Sequence, residues 1–395
     1  MTGGSPPAGR QAQPLFTARF ALLCLCGLAY FMSLGLVYPV LPGFVENELG
    51  GGPVAVGLAV GGFGLSAAVA RPLVGPLGDS KGRRYLVMWG CVLVGFGILG
   101  NLWATTVTVA VLFRLLTGLG EAAFFVGIAA AAQDMAPEHR RGEATSYFSV
   151  MVYGGLAAGP VLGEQLADSA GADAVWITGG VLCAVAIMLG AVSMPGRPEG
   201  ARSGWPNSFI HWPALRPALL LGLGLLGYSG FLAFIKLHVD DIGFPHAGAV
   251  FATFAVCVIG LRILLARLPD RLGPQRTSTL SYVFSGSGLW ILAFWPQIPG
   301  VFVGTVVLAM GQTFLFPALF VMAVQSAPIN RRSQAIGTFS IAFDLAVGVG
   351  GLVLGGVAAA SSYSTAFFAG GCFSVIALIV SRTVARPQPN AAIAS

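Results

Sequence analysis

Residues 107–133 read VTVAVLFRLLTGLGEAAFFVGIAAAAQ, a long apolar run that carries two charges, Arg114 and Glu121. Coiled as a helix at about 1.5 Å per residue, it exceeds the roughly 30 Å of a bilayer's hydrocarbon core. The same texture fills the chain, since 56% of its 395 residues are hydrophobic and 9% are charged, whereas a soluble domain carries about 25% charged residues. Lipid offers no water to backbone amides, so only helices and closed barrels cross it, and the short alternating segments of a barrel do not occur here. The expected fold class is therefore an all-α integral membrane protein.

Working outward from 107–133, further apolar runs lie near 18–42, 54–74, 85–103, 144–167 and 174–194, then 217–239, 247–266, 277–296, 299–326, 336–360 and 364–383. That makes twelve expected spans. Lys81, Arg83 and Arg84, then Arg140 and Arg141, Arg197, Arg202 and Arg216, Arg267, Arg271 and Arg276, Arg331 and Arg332, and Arg382 and Arg386 fall in alternate loops or the tail. Glu46, Glu48, Asp168, Asp173, Asp240 and Asp241 fall in the others. The positive-inside rule then places both termini in the cytoplasm. The net charge of +6 is thus a topology signal, and nucleic acid is not an expected partner.

The run at 299–326, PGVFVGTVVLAMGQTFLFPALFVMAVQS, occupies the same place in a second set of six spans. Arg71 and Arg262 are 191 apart (262 − 71), and so are Asp79 and Asp270, Gly82 and Gly273, Gly120 and Gly311, and Pro137 and Pro328. Near the first and seventh spans the register slips, so that Asn47-Glu48-Leu49-Gly50 faces Asp240-Asp241-Ile242-Gly243. The expected organisation is an N-terminal tail (1–17), a six-helix half (18–194), a cytoplasmic linker (195–216), a second six-helix half (217–383) and a C-terminal tail (384–395). Two parallel repeats suit a carrier that binds its solute between halves and rocks one against the other.

Gly75-Pro76-Leu77-Gly78-Asp79-Ser80-Lys81-Gly82-Arg83-Arg84 resembles the loop between spans two and three of the major facilitator superfamily. A degenerate copy runs from Ala266 to Arg276 and includes Asp270 and Gly273. Arg114-Leu115-Leu116-Thr117-Gly118 resembles that family's span-four motif, and Gly155 to Gly163, with Gly159 and Pro160, resembles the span-five motif of its proton-driven exporters. Glu164 stands where that motif has a further glycine. The chain is most similar to bacterial arabinose-efflux-type permeases and drug:proton antiporters, a resemblance that runs from 18 to 385. It implies alternating access, a gate built on Gly75, Asp79, Gly82, Arg83 and Arg84, a second-half gate built on Asp270, Gly273 and Arg276, and a monomer.

Charges within spans cost about 2.5–3.5 kcal/mol each to insert, so they are expected to face the interior and to act there. Glu121, about two turns after Arg114 and on the same face, and Asp344, mid-span in the eleventh helix, are the expected proton-coupling residues. Their structural alternatives are a Glu121 tie to Arg114 or span one, and an Asp344 anchor to Arg71 or the loop motif. Gln312 stands where the repeat would place a second Glu121, so any coupling is asymmetric. Gly155, Gly159, Pro160 and Gly163 are expected to let span five approach a neighbour and bend. Phe31, Tyr38, Phe124, Phe125, Tyr228, Phe314, Phe316 and Gln312 are substrate-cavity candidates, on the spans that line the cavity in the family. Lys236 and His238 are expected to snorkel toward the surface.

Cys24, Cys26, Cys91, Cys183, Cys257 and Cys372 lie in apolar runs, where thiols behave as small hydrophobes, and no metal or cofactor is expected. No phosphate-binding Gly-x-x-x-x-Gly-Lys-Ser/Thr loop is present, nor a His-Glu-x-x-His or Gly-x-Ser-x-Gly motif, which argues against ATP-driven transport and against an enzyme. The expected function is proton-coupled antiport exporting a drug, sugar or metabolite. Uptake by symport or facilitation is the alternative, and a transport-dead receptor or scaffold a distant one. A cleavable signal peptide is not expected, because the first apolar run is long enough to span.

Overall fold

The computed structural model describes residues 17–137, 141–194, 210–265, 268, 272–326 and 332–384. Its elements are α1 (Ala18–Gly43), α2 (Pro53–Lys81), α3 (Arg83–Leu99), α4 (Val107–Asp134), α5 (Arg141–Ser193), α6 (Leu215–Asp241), α7 (Ala247–Leu264), α8 (Pro274–Phe294), α9 (Ile298–Gln325), α10 (Arg332–Ala360) and α11 (Tyr363–Val384). Ten of the described helical segments are long and apolar enough to cross a membrane. One of these, Val150–Ser193, has 44 residues, enough for two crossings, and breaks at Gly171, whose φ of 81° no helix accommodates. Spans five and six thus meet at a glycine kink inside α5. The ninth expected span, α8, is not among the ten, since its first turns carry Thr277, Ser278, Thr279 and Ser281. From α6 onward each helix number is one below its span number. The tails, most of the expected linker, Arg140, Arg267, Asp270, Arg271, Pro328 and Arg331 lie outside the described residues.

Lipid-embedded helices gain nothing from hiding apolar surface from one another, so close packing on small residues holds them together. The repeat register reappears in these contacts. A Cβ on Gly120 of α4 would come within 2.7 Å of the Gly90 carbonyl oxygen of α3, and one on Gly311 of α9 within 2.7 Å of the Ser281 carbonyl oxygen of α8. Positions 90 and 281 are themselves 191 apart (281 − 90). Gly82 and Gly273 share a positive φ, 96° and 78°, and the slipped pair Gly50 and Gly243 does so too, 66° and 76°. Both turns need the left-handed region, which only glycine enters without cost.

The halves meet along α2 and α10. Gly57 packs on the Gly351 backbone, Gly61 on that of Gly348, and Gly355 on the Pro53 carbonyl. At the same ends, which carry the acidic loops, the Tyr363 hydroxyl donates to Glu46 at 2.9 Å and the Gly248 amide to Glu164 Oε2 at 2.9 Å. Tyr38 of α1 lies 6.3 Å, ring to ring, from Phe251 of α7. The acidic-loop ends of the halves are therefore closed on each other.

Candidate functional site

Inside the bundle, three charged side chains from three helices converge. Arg71 of α2, Glu121 of α4 and Asp344 of α10 are 8%, 7% and 2% exposed, so each must find its counter-charge in protein. Arg71 Nη2 donates to Glu121 at 3.2 and 3.3 Å and to Asp344 Oδ1 at 3.1 Å, while its Nε donates to Asp344 Oδ2. Phe125, one turn beyond Glu121 on α4, lays its ring 4.7 Å from the guanidinium. One arginine thus serves two carboxylates, and with both ionised the cluster carries one surplus negative charge. A Cβ on Gly64 would lie 2.5 Å from the Asp344 carbonyl oxygen, so glycine there lets α2 and α10 come close enough for this geometry.

Arg114 does not join Glu121, although the two share a face of α4. Its Nε donates to the Ala59 carbonyl of α2 at 3.1 Å, and its guanidinium lies 4.8 Å from the Phe63 ring centre. Both charges point at α2, where each meets a different partner. The structure thus joins Asp344 to Arg71, one of the anchors named for it, and gives Glu121 the same partner, which spacing along α4 did not indicate. Arg71 was visible in the sequence as the repeat mate of Arg262 and as one anchor for Asp344, but not as a partner of Glu121, since its position just before a basic loop reads like any positive-inside charge.

Gly75 and Asp79 fall on the last turns of α2, and the Asp79 carboxylate lies outside the described side chains. Gly82 ends α2, and Arg83 Nε lies 3.5 Å from Asp134 Oδ2 at the end of α4. Arg84 and Arg276 are exposed, and Gly273 supplies the matching turn before α8.

The span-five glycines pack α5 on α1. A Cβ on Gly159 would lie 2.6 Å from Gly35 Cα, one on Gly155 2.6 Å from Phe31 Cβ, and one on Gly163 2.9 Å from Leu36 Cα. Pro160 sits among them inside α5. Glu164, the departure from the glycine pattern, ties α5 to the Gly248 amide in the first turn of α7 in the other half.

Among the aromatic candidates, Phe124 is fully buried and stacks on Tyr30 at 3.4 Å, and Phe31 meets both edge-on. Phe125 meets Phe148, Phe314 is buried, and Phe316 stacks on Phe320. Gln312 donates to Ser285 at 3.1 Å within its own half. Tyr38 and Tyr228 stay half-buried beside Phe251 and Phe254. Lys236 pairs with Asp240 at 2.9 Å, but His238, expected to snorkel, is 3% exposed and lies edge-on to Phe367, because it faces α11 rather than solvent.

A pseudo-symmetric helical membrane bundle with interior charges and closely packed halves has the form of a carrier of small solutes. The model of the Major Facilitator Superfamily matches residues 23–277 and 218–394, and the chain belongs to that family of transporters. Its relatives include an uncharacterized MFS-type transporter of Salmonella typhimurium, 27% identical over 335 residues, 82% of this chain and 86% of that one. Another from Burkholderia pseudomallei is 27% identical over 379 residues, 92% of this chain and 91% of that one. Among solved structures, the fold resembles a bacterial homolog of the human lysosomal transporter Spinster in an inward-facing, unoccupied conformation (TM-score 0.78, 15% identity, 96% of this chain and all of that one). It also resembles the nucleoside transporter NupG (TM-score 0.74, 15% identity, 94% of this chain and all of that one).

Proposed function

We propose that this transporter couples proton movement to the passage of a small organic solute, exporting it by antiport. The observation that carries the reading is the cross-half cluster, in which Asp344 belongs to one half and Arg71 and Glu121 to the other. A single proton on either carboxylate removes the surplus negative charge and leaves Arg71 with one counter-ion instead of two. If the proton lands on Asp344, the tie between α2 and α10 weakens while the tie within the first half remains. Protonation then biases which end of the bundle opens, which is what alternating access requires of its driving ion.

Several other features fit this reading. Gly155, Gly159, Pro160 and Gly163 resemble the exporter-type motif, apart from Glu164 after them, and hold α5 against α1. The loop motif with Asp79, Gly82, Arg83 and Arg84, and its copy with Asp270, Gly273 and Arg276, would gate the cytoplasmic end. The protein would work as a monomer in the cytoplasmic membrane with both termini inside, exporting as do the drug:proton antiporters it resembles.

Dye-reported proton release from acidified inverted vesicles, challenged with sugars, amphiphilic cations and organic anions, tests the reading. A compound that dissipates the gradient with wild type but not with Glu121→Gln or Asp344→Asn supports antiport. Accumulation that follows the proton inward would instead establish symport, and equal dissipation by wild type and both variants would remove the cluster from the coupling mechanism.

A further inference from the structure

The repeat register assigns every member of the charged cluster a counterpart. Arg71 corresponds to Arg262, Glu121 to Gln312 and Asp344 to Tyr153 (344 − 191). The second arginine keeps the geometry and loses the charges. Arg262 reaches from α7 to α5 of the other half, where its Nη2 donates to the Tyr153 hydroxyl at 2.7 Å, with its guanidinium 4.1 Å from that ring's centre. It also donates to the Thr313 carbonyl at 3.3 Å. Both acceptors are neutral, and Nε, though shielded from solvent, has no hydrogen-bond partner among the described residues.

A half-buried guanidinium with a free Nε beside an occupied Nη2 presents the edge that binds a carboxylate in bidentate fashion. On α7, Phe251, Phe254, Val258 and Arg262 recur at helical spacing, so the arginine lies on the face that carries the rings. Phe254 lies 5.3 Å from Tyr228, and Phe251 5.7 Å from Phe231, in an apolar wall roughly 12 Å along the helix from Arg262.

We propose that Arg262 is the anchor for the carboxylate of an amphiphilic organic anion, whose apolar body lies toward the Tyr228–Phe254 wall. The anion replaces the Tyr153 hydroxyl and satisfies Nε, so solute binding releases the α7–α5 tie as protonation releases the α2–α10 tie. This rests on the transport reading above and names its substrate class.

The test is equilibrium binding to the purified transporter with no proton gradient, using phenylalkyl carboxylates, each compared with its amide and its amine. Wild type is expected to favour the carboxylate by about tenfold or more. Arg262→Gln abolishes that preference, Arg262→Lys, which keeps the charge and loses the fork, retains part of it, and Tyr153→Phe preserves it. Equal binding of carboxylate and amide by wild type, preference for the amine, or unchanged carboxylate preference in a folded Arg262→Gln would overturn the proposal. Because no flux is measured, a carboxylate preference without any transport would count against the carrier reading and leave this assignment standing.

Discussion

Taking the guanidinium away from Arg71 would leave Glu121 and Asp344 buried together with no cation between them. Breaking a buried ion pair by removing one partner typically costs about 3–5 kcal/mol, because the charge left behind stays desolvated. Arg71→Met is expected to lower the melting temperature in detergent well below that of wild type. The double variant Arg71→Met/Asp344→Leu should recover part of the loss, since one orphaned charge is gone. A melting temperature unchanged in the single variant would show that the cluster is not the buried pair described. The two acids were legible from sequence because a carboxylate inside an apolar run is costly to insert and must face a partner or a task in the interior. That both share Arg71 was not, since Arg71 was expected only as an anchor for Asp344, and only the packing of α2 against both α4 and α10 brings the three together. Arg114 shows the same limit from the other side: its place on α4 was readable, yet its partners belong to α2.

Helices here pack through missing side chains. At Gly159 any Cβ would collide with Gly35 of α1, whereas Gly356 on α10 has open space around the position a Cβ would take. Gly159→Leu is expected to push α5 off α1 and to reduce transport by about tenfold or more with lower thermal stability, an overpacking effect. Gly356→Ala should change stability by about 1 kcal/mol or less and leave transport intact. Comparable melting curves and flux for the two variants would contradict the packing described. The span-five glycines were readable as a close-approach motif, but their neighbour was not, because glycine spacing announces a contact without naming what fills it. The kink at Gly171 was hidden for a related reason, since the acids at Asp168 and Asp173 read as a loop while the backbone stays helical on both sides of a single left-handed residue.

At the scale of the molecule, duplication was legible because one register of 191 residues runs through loops and helices alike. The way the halves lean on each other was not, as nothing in either half's sequence fixes which end is closed. Gly57 and Gly351 meet at the closed, acidic-loop end. Cysteines replacing Glu46 and Tyr363, whose side chains meet across this end at 2.9 Å, should be joined by a short, reducible bifunctional thiol reagent in a background lacking the native thiols, halting transport until the linker is reduced. Continued transport by the fully cross-linked protein would mean that this end need not open. Impermeant thiol reagents should label Glu48→Cys in intact cells and Arg84→Cys only after permeabilisation, and the reverse pattern would invert the orientation.

The central claim, that the Arg71–Glu121–Asp344 cluster turns proton movement into solute movement, is tested most directly by Asp344→Asn in proteoliposomes with a solute found in the vesicle screen. The account predicts that the variant still exchanges solute down its own gradient and no longer drives it uphill on an imposed proton gradient. Uphill transport at wild-type levels by Asp344→Asn would contradict it.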